Sequence, residues 1–400
     1  MPDNTLFHLG ESMRVLVIAS PGLGHLFPTV PLAHAFRAAG HEVRFATGGL
    51  GLSATDAGMN VVDVTPGLDY GEIYMSVGGD DNRRPIHADD PEDELLARLF
   101  GRVSSVMVDG ALDVARSWSP DLIFSPVLQG AGPLVAAATG TPLVEMPVGV
   151  YDSRHDLGDM IREAMRADYD RHSVSADARA TVRLSMMPPS FAELLPPERR
   201  NEGAWPMRWV PYNGGFVLPD WLRRRPDRPR IAVTLGTIEA QWGGIAMLSP
   251  LMTAAGGVDA EFVVTLGGGD VALLGDLPDN VRTVEWAPLD ALLETCTAII
   301  HHGGSGTTMT AIAAGIPQCV IPQGSYQHTD VGVVARLGTG IVAEAETLGA
   351  RECRTLLTDE GMRKAAARAR EELLTMPAPA ELVPRLAALA GPRPATSEEG

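Results

Sequence analysis

Apolar and polar positions along the first part of the chain switch between two rhythms. Residues 14–19, Arg-Val-Leu-Val-Ile-Ala, form a short unbroken apolar and β-branched run. Glycines follow, and residues 26–39 then place apolar side chains at helical spacing. A second strand-like run at 42–46 completes the opening of a βαβ unit, and runs at 61–64, 122–124 and 143–146 continue it. That succession predicts a parallel, doubly wound sheet. Residues 67–91, rich in Gly, Asp and Arg and without periodicity, read as a long loop, a length that inside a compact domain usually signals function or disorder. Helical spacing returns over 92–118, with Leu95, Leu96, Leu99, Val103 and Val106 on one face.

From residue 186 to 229 proline becomes frequent and periodicity fades, which marks a linker. Residues 230–235 then begin a new strand ending in Gly236-Thr237, much as the first began, and further strands are expected at 261–266, 281–285, 298–301 and 319–321. The expected layout is a disordered leader (1–12), an N-terminal domain (13–215), a C-terminal domain (216–385) and a tail (386–400). The start of that tail is expected to be helical and to cross back to the first domain. The length of 400 residues suits two domains better than one core.

Hydrophobic residues make up 45% of the chain and charged residues 20%, a globular balance. The net charge of −18 argues against nucleic acid or an anionic membrane as partner. An anionic small ligand must then be held locally, by backbone N–H groups and a few side chains. Cys296, Cys319 and Cys353 form no C-x-x-C pair, so neither a disulfide framework nor a zinc site is suggested, and the reducing cytoplasm fits. The apolar stretch 130–150 is broken by Pro133, Pro142, Glu145 and Pro147 and makes no membrane helix.

Two strand-to-helix turns could hold chemistry. In Pro21-Gly-Leu-Gly-His25-Leu-Phe-Pro28, Gly22 and Gly24 let the chain turn off the strand and set His25 in the crevice at the carboxyl end of the sheet. His25 there serves either as a base near neutral pH or as packing for the turn. Phe27 stands where a dinucleotide fingerprint needs its third glycine, which disfavours a nicotinamide cofactor. The second turn, Ile300-His-His-Gly-Gly-Ser-Gly-Thr-Thr308, exposes N–H groups at a helix N-terminus and reads as an anion site. It lacks the lysine and spacing of a P-loop.

Residues 285–330 resemble the donor-binding signature of glycosyltransferase family 1, in particular its bacterial members that decorate antibiotics and other natural products. Trp286-Ala-Pro288, the His-His-Gly-Gly block, Gly315-Ile-Pro317 and Ile321-Pro322-Gln323 carry the likeness. Residues 21–28 resemble the family's N-terminal loop, and Trp209-Val-Pro211-Tyr-Asn-Gly214 its interdomain segment. The resemblance implies a GT-B fold, two Rossmann-like domains facing across a cleft, and an inverting, metal-independent hexosyl transfer with no cofactor. It implies Trp286 and Ala287 at the base of the donor nucleotide and His301, Gly303, Gly304, Ser305, Gly306 and Thr307 at its diphosphate, with Thr237 and Gly24 facing the same cleft. His25 matches the general base, for which family members often supply an orienting aspartate. Ser125 or Pro126 stands there instead, leaving Asp69, Glu145 or a backbone carbonyl to orient it. Asp80-Asp81 and Asp89-Asp90 read as solvated charge, not as a metal motif.

Two departures bear on the donor. UDP-using members carry a glutamate for the ribose hydroxyls where this chain has Met309, which favours dTDP. The Asp-Gln pair that holds hexose hydroxyls appears as Tyr326-Gln327, which favours a deoxysugar. Tyr70, Tyr74, Met75, Met146, Val148 and Tyr151 either line a hydrophobic acceptor pocket or pack their loops. The expected partners are therefore a nucleotide sugar and a hydrophobic aglycone, with the protein a monomer or homodimer. Competing readings are a nucleotide-sugar 2-epimerase of the same fold and a non-catalytic auxiliary partner of a transferase.

Overall fold

The computed structural model describes residues 12–73, 92–148, 155–177, 179–195, 203–237, 244–322 and 332–390. Among these, the first part of the chain builds a parallel sheet of seven strands: β1 (Arg14–Ile18), β2 (Glu42–Thr47), β3 (Asn60–Asp63), β4 (Leu122–Pro126), β5 (Leu143–Met146), β6 (Val182–Ser185) and β7 (Trp205–Pro206). A second parallel sheet of six follows: β8 (Arg230–Thr234), β9 (Glu261–Thr265), β10 (Val281–Val284), β11 (Ala298–His301), β12 (Gln318–Val320) and β13 (Gly340–Val342). Helices cover both faces of such sheets, so their central strands are buried on both sides, and that is why they appear in the sequence as unbroken apolar runs.

The strand orders are β3-β2-β1-β4-β5-β6-β7 and β10-β9-β8-β11-β12-β13. Each order reverses beside its first strand, with β1 pairing both β2 and β4 and β8 pairing both β9 and β11. Ligand crevices of open α/β sheets form at such reversals. The turns singled out by sequence leave from β1 and β11, one at each reversal.

The proline-rich stretch is not wholly a linker. Its Trp205–Pro206 pairs with Leu184 and Ser185 as an edge strand, a place in a sheet that tolerates a proline. The short strand β13 was also not expected. One apolar cluster joins the halves: Val17, Phe36 and Phe124 share it with Trp209 and with Met309, Ile312, Leu373, Leu382 and Leu386. The helix Pro379–Ala387 lies against the helix Val30–Ala38, so the return to the first half begins before residue 386. Ser190 N–H donates to Glu372 across the same seam, 2.7 Å, and the Arg385 guanidinium stacks 3.4 Å over Trp205. No helix among the described residues is long and apolar enough to cross a membrane.

Candidate functional site

Strand β1 delivers the chain to Gly22, whose extended backbone begins the short helix Leu23–Leu26. His25 lies in this turn, its backbone N–H bonded to Gly22 O at 3.0 Å and its ring 5.1 Å from that of Phe100 in the helix Glu92–Ser105. The side chain is only partly shielded, yet Nδ1 is sealed from solvent and has no hydrogen-bond partner among the described residues. Burial pulls its pKa down to about 4. The proposed orienting groups are occupied elsewhere. Ser125 Oγ donates to Ile18 O, 2.9 Å; Asp69 accepts from Gly71 N–H, 2.7 Å; Glu145 accepts from Arg183 Nε, 2.9 Å. Phe100 was not singled out in the sequence, although it lies one helical turn beyond Leu96 of the apolar face.

In the second turn, His301 ends β11 and is fully buried. Its Nδ1 accepts from Gly303 N–H at 3.1 Å, and Nε2 is 2.9 Å from Gln318 Oε1. A neutral ring that accepts at Nδ1 carries its proton at Nε2, so the second bond is Nε2–H donating to Gln318. Burial foremost, and then the neighbouring His302, holds the pKa down at about 3. Both ring nitrogens are thus used inside the protein, and as it stands His301 has none to offer a ligand. These two bonds hold the turn.

The adjacent His302 is differently placed. A Cβ at Gly304 would come within 2.5 Å of its Nε2, and one at Gly236 within 2.9 Å of its Cε1. The ring therefore fills the space between the turn at residues 235–237 after β8 and the start of the helix Ser305–Ala314. Glycine at 236 is further required by a φ of +72°. The first helical bond into Gly304 O comes from Thr308 N–H, 2.9 Å, which leaves the N–H groups of Gly306 and Thr307 outside the helical ladder. Ser305, Gly306, Thr307 and Thr237 are all half-buried. Met309 has no exposed surface and belongs to the apolar cluster between the halves.

Trp286, half-buried beside buried Ala287, follows β10. Phe27 meets it at 6.5 Å between centroids and 71°, and meets Tyr212 at 5.4 Å and 86°. Gly214 approaches the indole closely, a Cβ there reaching 4.0 Å from Nε1. Asn213 Oδ1 accepts from Asp290 N–H at 3.1 Å, tying the interdomain segment to the Trp286 loop. Sequence reasoning missed Phe27, which it had read only as a glycine lacking from a fingerprint.

Three acceptor candidates are buried. Tyr70 is buried against Ile73 and Val103, its hydroxyl 2.8 Å from Thr65 Oγ1, and its ring takes the space that side chains at Gly48 and Gly49 would need. Met146 and Val148 are buried in the two cores of the first sheet, so none of the three lines an open wall. Gly24, beside His25, is exposed. Tyr74, Met75, Tyr151, Tyr326 and Gln327 lie outside the described residues, as do Asp80, Asp81, Asp89 and Asp90.

Comparison with known proteins follows the same two-part layout. The N-terminal domain of the erythromycin biosynthesis protein CIII-like family matches residues 34–236, and its C-terminal domain matches 249–389. The elloramycin glycosyltransferase ElmGT of Streptomyces olivaceus is 39% identical over 390 residues, 94% of this chain and 97% of that protein. The crystal structure of the glycosyltransferase SnogD from Streptomyces nogalater is similar at a TM-score of 0.85 and 56% identity, covering 95% of this chain and all (100%) of that one. SsfS6, a glycosyltransferase of Streptomyces sp. SF2575 solved with thymidine diphosphate, is similar at a TM-score of 0.80 and 29% identity, over 94% of this chain and 99% of its own.

Proposed function

Since the chain belongs to the erythromycin biosynthesis protein CIII-like family of glycosyltransferases, with their GT-B fold, we propose that it moves a deoxysugar from a dTDP-sugar to a hydroxyl of a hydrophobic natural-product aglycone. The observation that carries this reading is the pair of turns at the two strand-order reversals, one bearing His25 and the other His302 and the head of the Ser305 helix. Residues 13–215 are assigned to the acceptor and 216–385 to the donor.

The donor base stacks on Trp286 with the backbone of Ala287 at its edge. The diphosphate lies at the N–H groups of Gly306 and Thr307, where the helix dipole favours negative charge. His302 and Thr237 flank it. His301, the imidazole that the family resemblance assigns to the diphosphate, ends the strand that leads into this turn, its ring held by Gly303 and Gln318. These fixed donors stabilise the diphosphate as it leaves. The acceptor oxygen attacks the anomeric carbon as the bond to phosphate breaks, inverting the centre, and its proton passes to His25. That ring is unprotonated at neutral pH, the form a base requires. Tyr326 and Gln327 hold the sugar. Support for dTDP comes from the thymidine diphosphate bound to SsfS6, whereas Met309, fully buried in the apolar cluster, does not face the ribose. The reaction belongs to the cytoplasm, which three free thiols suit.

The test is to incubate the enzyme with dTDP-deoxysugars and measure dTDP release with and without a panel of hydrophobic aglycones. Acceptor-dependent release is expected. Conversion of the donor without any acceptor points to an epimerase, and tight dTDP binding with no turnover across the panel points to an auxiliary protein.

A further inference from the structure

Phe27 stands two residues after His25 on one continuous helical run, Leu23–Leu26 passing into Phe27–Thr29 and then Val30–Ala38. Two residues along a helix lie roughly 200° apart, so these side chains leave on opposite sides. His25 meets Phe100 at 5.1 Å, while Phe27 meets Tyr212 at 5.4 Å and Trp286 at 6.5 Å, both edge to face. The turn that bears His25 is therefore gripped by aromatic rings on both flanks, and one grip reaches Trp286 in the other half of the chain. Gly214 and the Asn213–Asp290 bond bring the interdomain segment to the same point. An edge-to-face contact engages at most one face of the indole and leaves the other for a base.

From this juxtaposition we infer that Phe27 is a positioning residue that couples the packing of the donor base on Trp286 to the placement of His25. The inference rests on the reading of Trp286 as the base-stacking residue. With the indole held by Phe27, the first half of the chain takes part in reading the nucleotide. Loss of the ring should loosen both partners, lowering donor affinity and, separately, the rate at saturating donor.

A double-mutant cycle on dTDP affinity, read by calorimetry, tests this with Phe27→Ala, Trp286→Ala and the double variant. Phe27→Ala is expected to weaken dTDP binding about fivefold, within the range of an aromatic pair, and to lower kcat as well as raise the donor KM. The double variant should bind no more weakly than Trp286→Ala alone, because the ring then has no indole to hold. Phe27→Tyr keeps the edge contact and should restore wild-type affinity, and Phe27→Leu replaces Phe27→Ala in the cycle if the alanine variant does not fold. Wild-type affinity in Phe27→Ala, or two losses that multiply in the double variant, overturns the coupling. Unchanged affinity in Trp286→Ala instead removes the stacking assignment itself, and the coupling with it.

Discussion

At the scale of single residues, burial decides what the histidines can do. Loss of the imidazole in His25→Ala should abolish transfer while dTDP affinity stays near that of the wild type, since no phosphate contact is assigned to it. Its pKa of about 4 makes a sharper forecast. A base must be unprotonated, so activity should hold from neutral pH down through 6.5 and fall only as pH passes about 4. A kcat/KM profile over that range, with a stability control at each pH, reports the limb; a limb near 6.5 shows that the burial is lost in the working enzyme. Met309 illustrates the same principle from the other side. Glutamate there would favour UDP donors if the side chain faced the cleft, but Met309 is fully buried in apolar surroundings. Met309→Glu should therefore cost about 2–4 kcal/mol of stability, through a carboxylate taken out of water without a partner. Urea denaturation checks this, and a variant of unchanged stability with improved UDP use would restore a direct role in donor choice.

At the scale of elements, the helix Ser305–Ala314 and the turn at residues 235–237 meet through one imidazole, and the glycines around it have a steric task. Gly304 has φ −60°, which alanine adopts freely, so Gly304→Ala isolates the clash of a Cβ with His302 at 2.5 Å from backbone strain. The ring is hemmed in by Gly236 on its other side and has to shift. Overpacking of this kind costs about 1–3 kcal/mol, so dTDP affinity should fall by roughly tenfold or more with the melting temperature changed by only a few degrees. Wild-type affinity would place the diphosphate away from His302. Much of this level was legible in the sequence: strands buried on both faces showed as unbroken apolar runs, and the glycine-rich turns announced both loops. What could not be read depended on contacts between distant residues. Nothing local in the sequence shows that the His301 ring is held by Gly303 and, 17 residues on, by Gln318. Strands β7 and β13, two and three residues long and containing Pro206 and Gly340, carry too little pattern to register.

At the scale of the whole molecule, a chain of net charge −18 is asked to bind an anionic nucleotide sugar. Its assigned phosphate cradle holds no lysine or arginine, only helix N–H groups, a hydroxyl and the imidazole of His302. Short-range dipoles supply the attraction, and the long-range field of the protein opposes it. Salt acts unequally on the two, because the Debye length shrinks from about 30 Å at 0.01 M to about 8 Å at 0.15 M. Distant repulsion is then screened, while hydrogen bonds within a half-buried turn are nearly untouched. Raising ionic strength over that range should tighten dTDP binding or leave it level, the reverse of the usual loss seen when lysines and arginines neutralise phosphates. Calorimetric titrations of dTDP at several concentrations of one monovalent salt distinguish the cases. An affinity that falls steadily with salt would mean that a basic side chain outside the assigned cradle holds the diphosphate, and the search for it would begin with the arginines nearest Thr237 and Thr307.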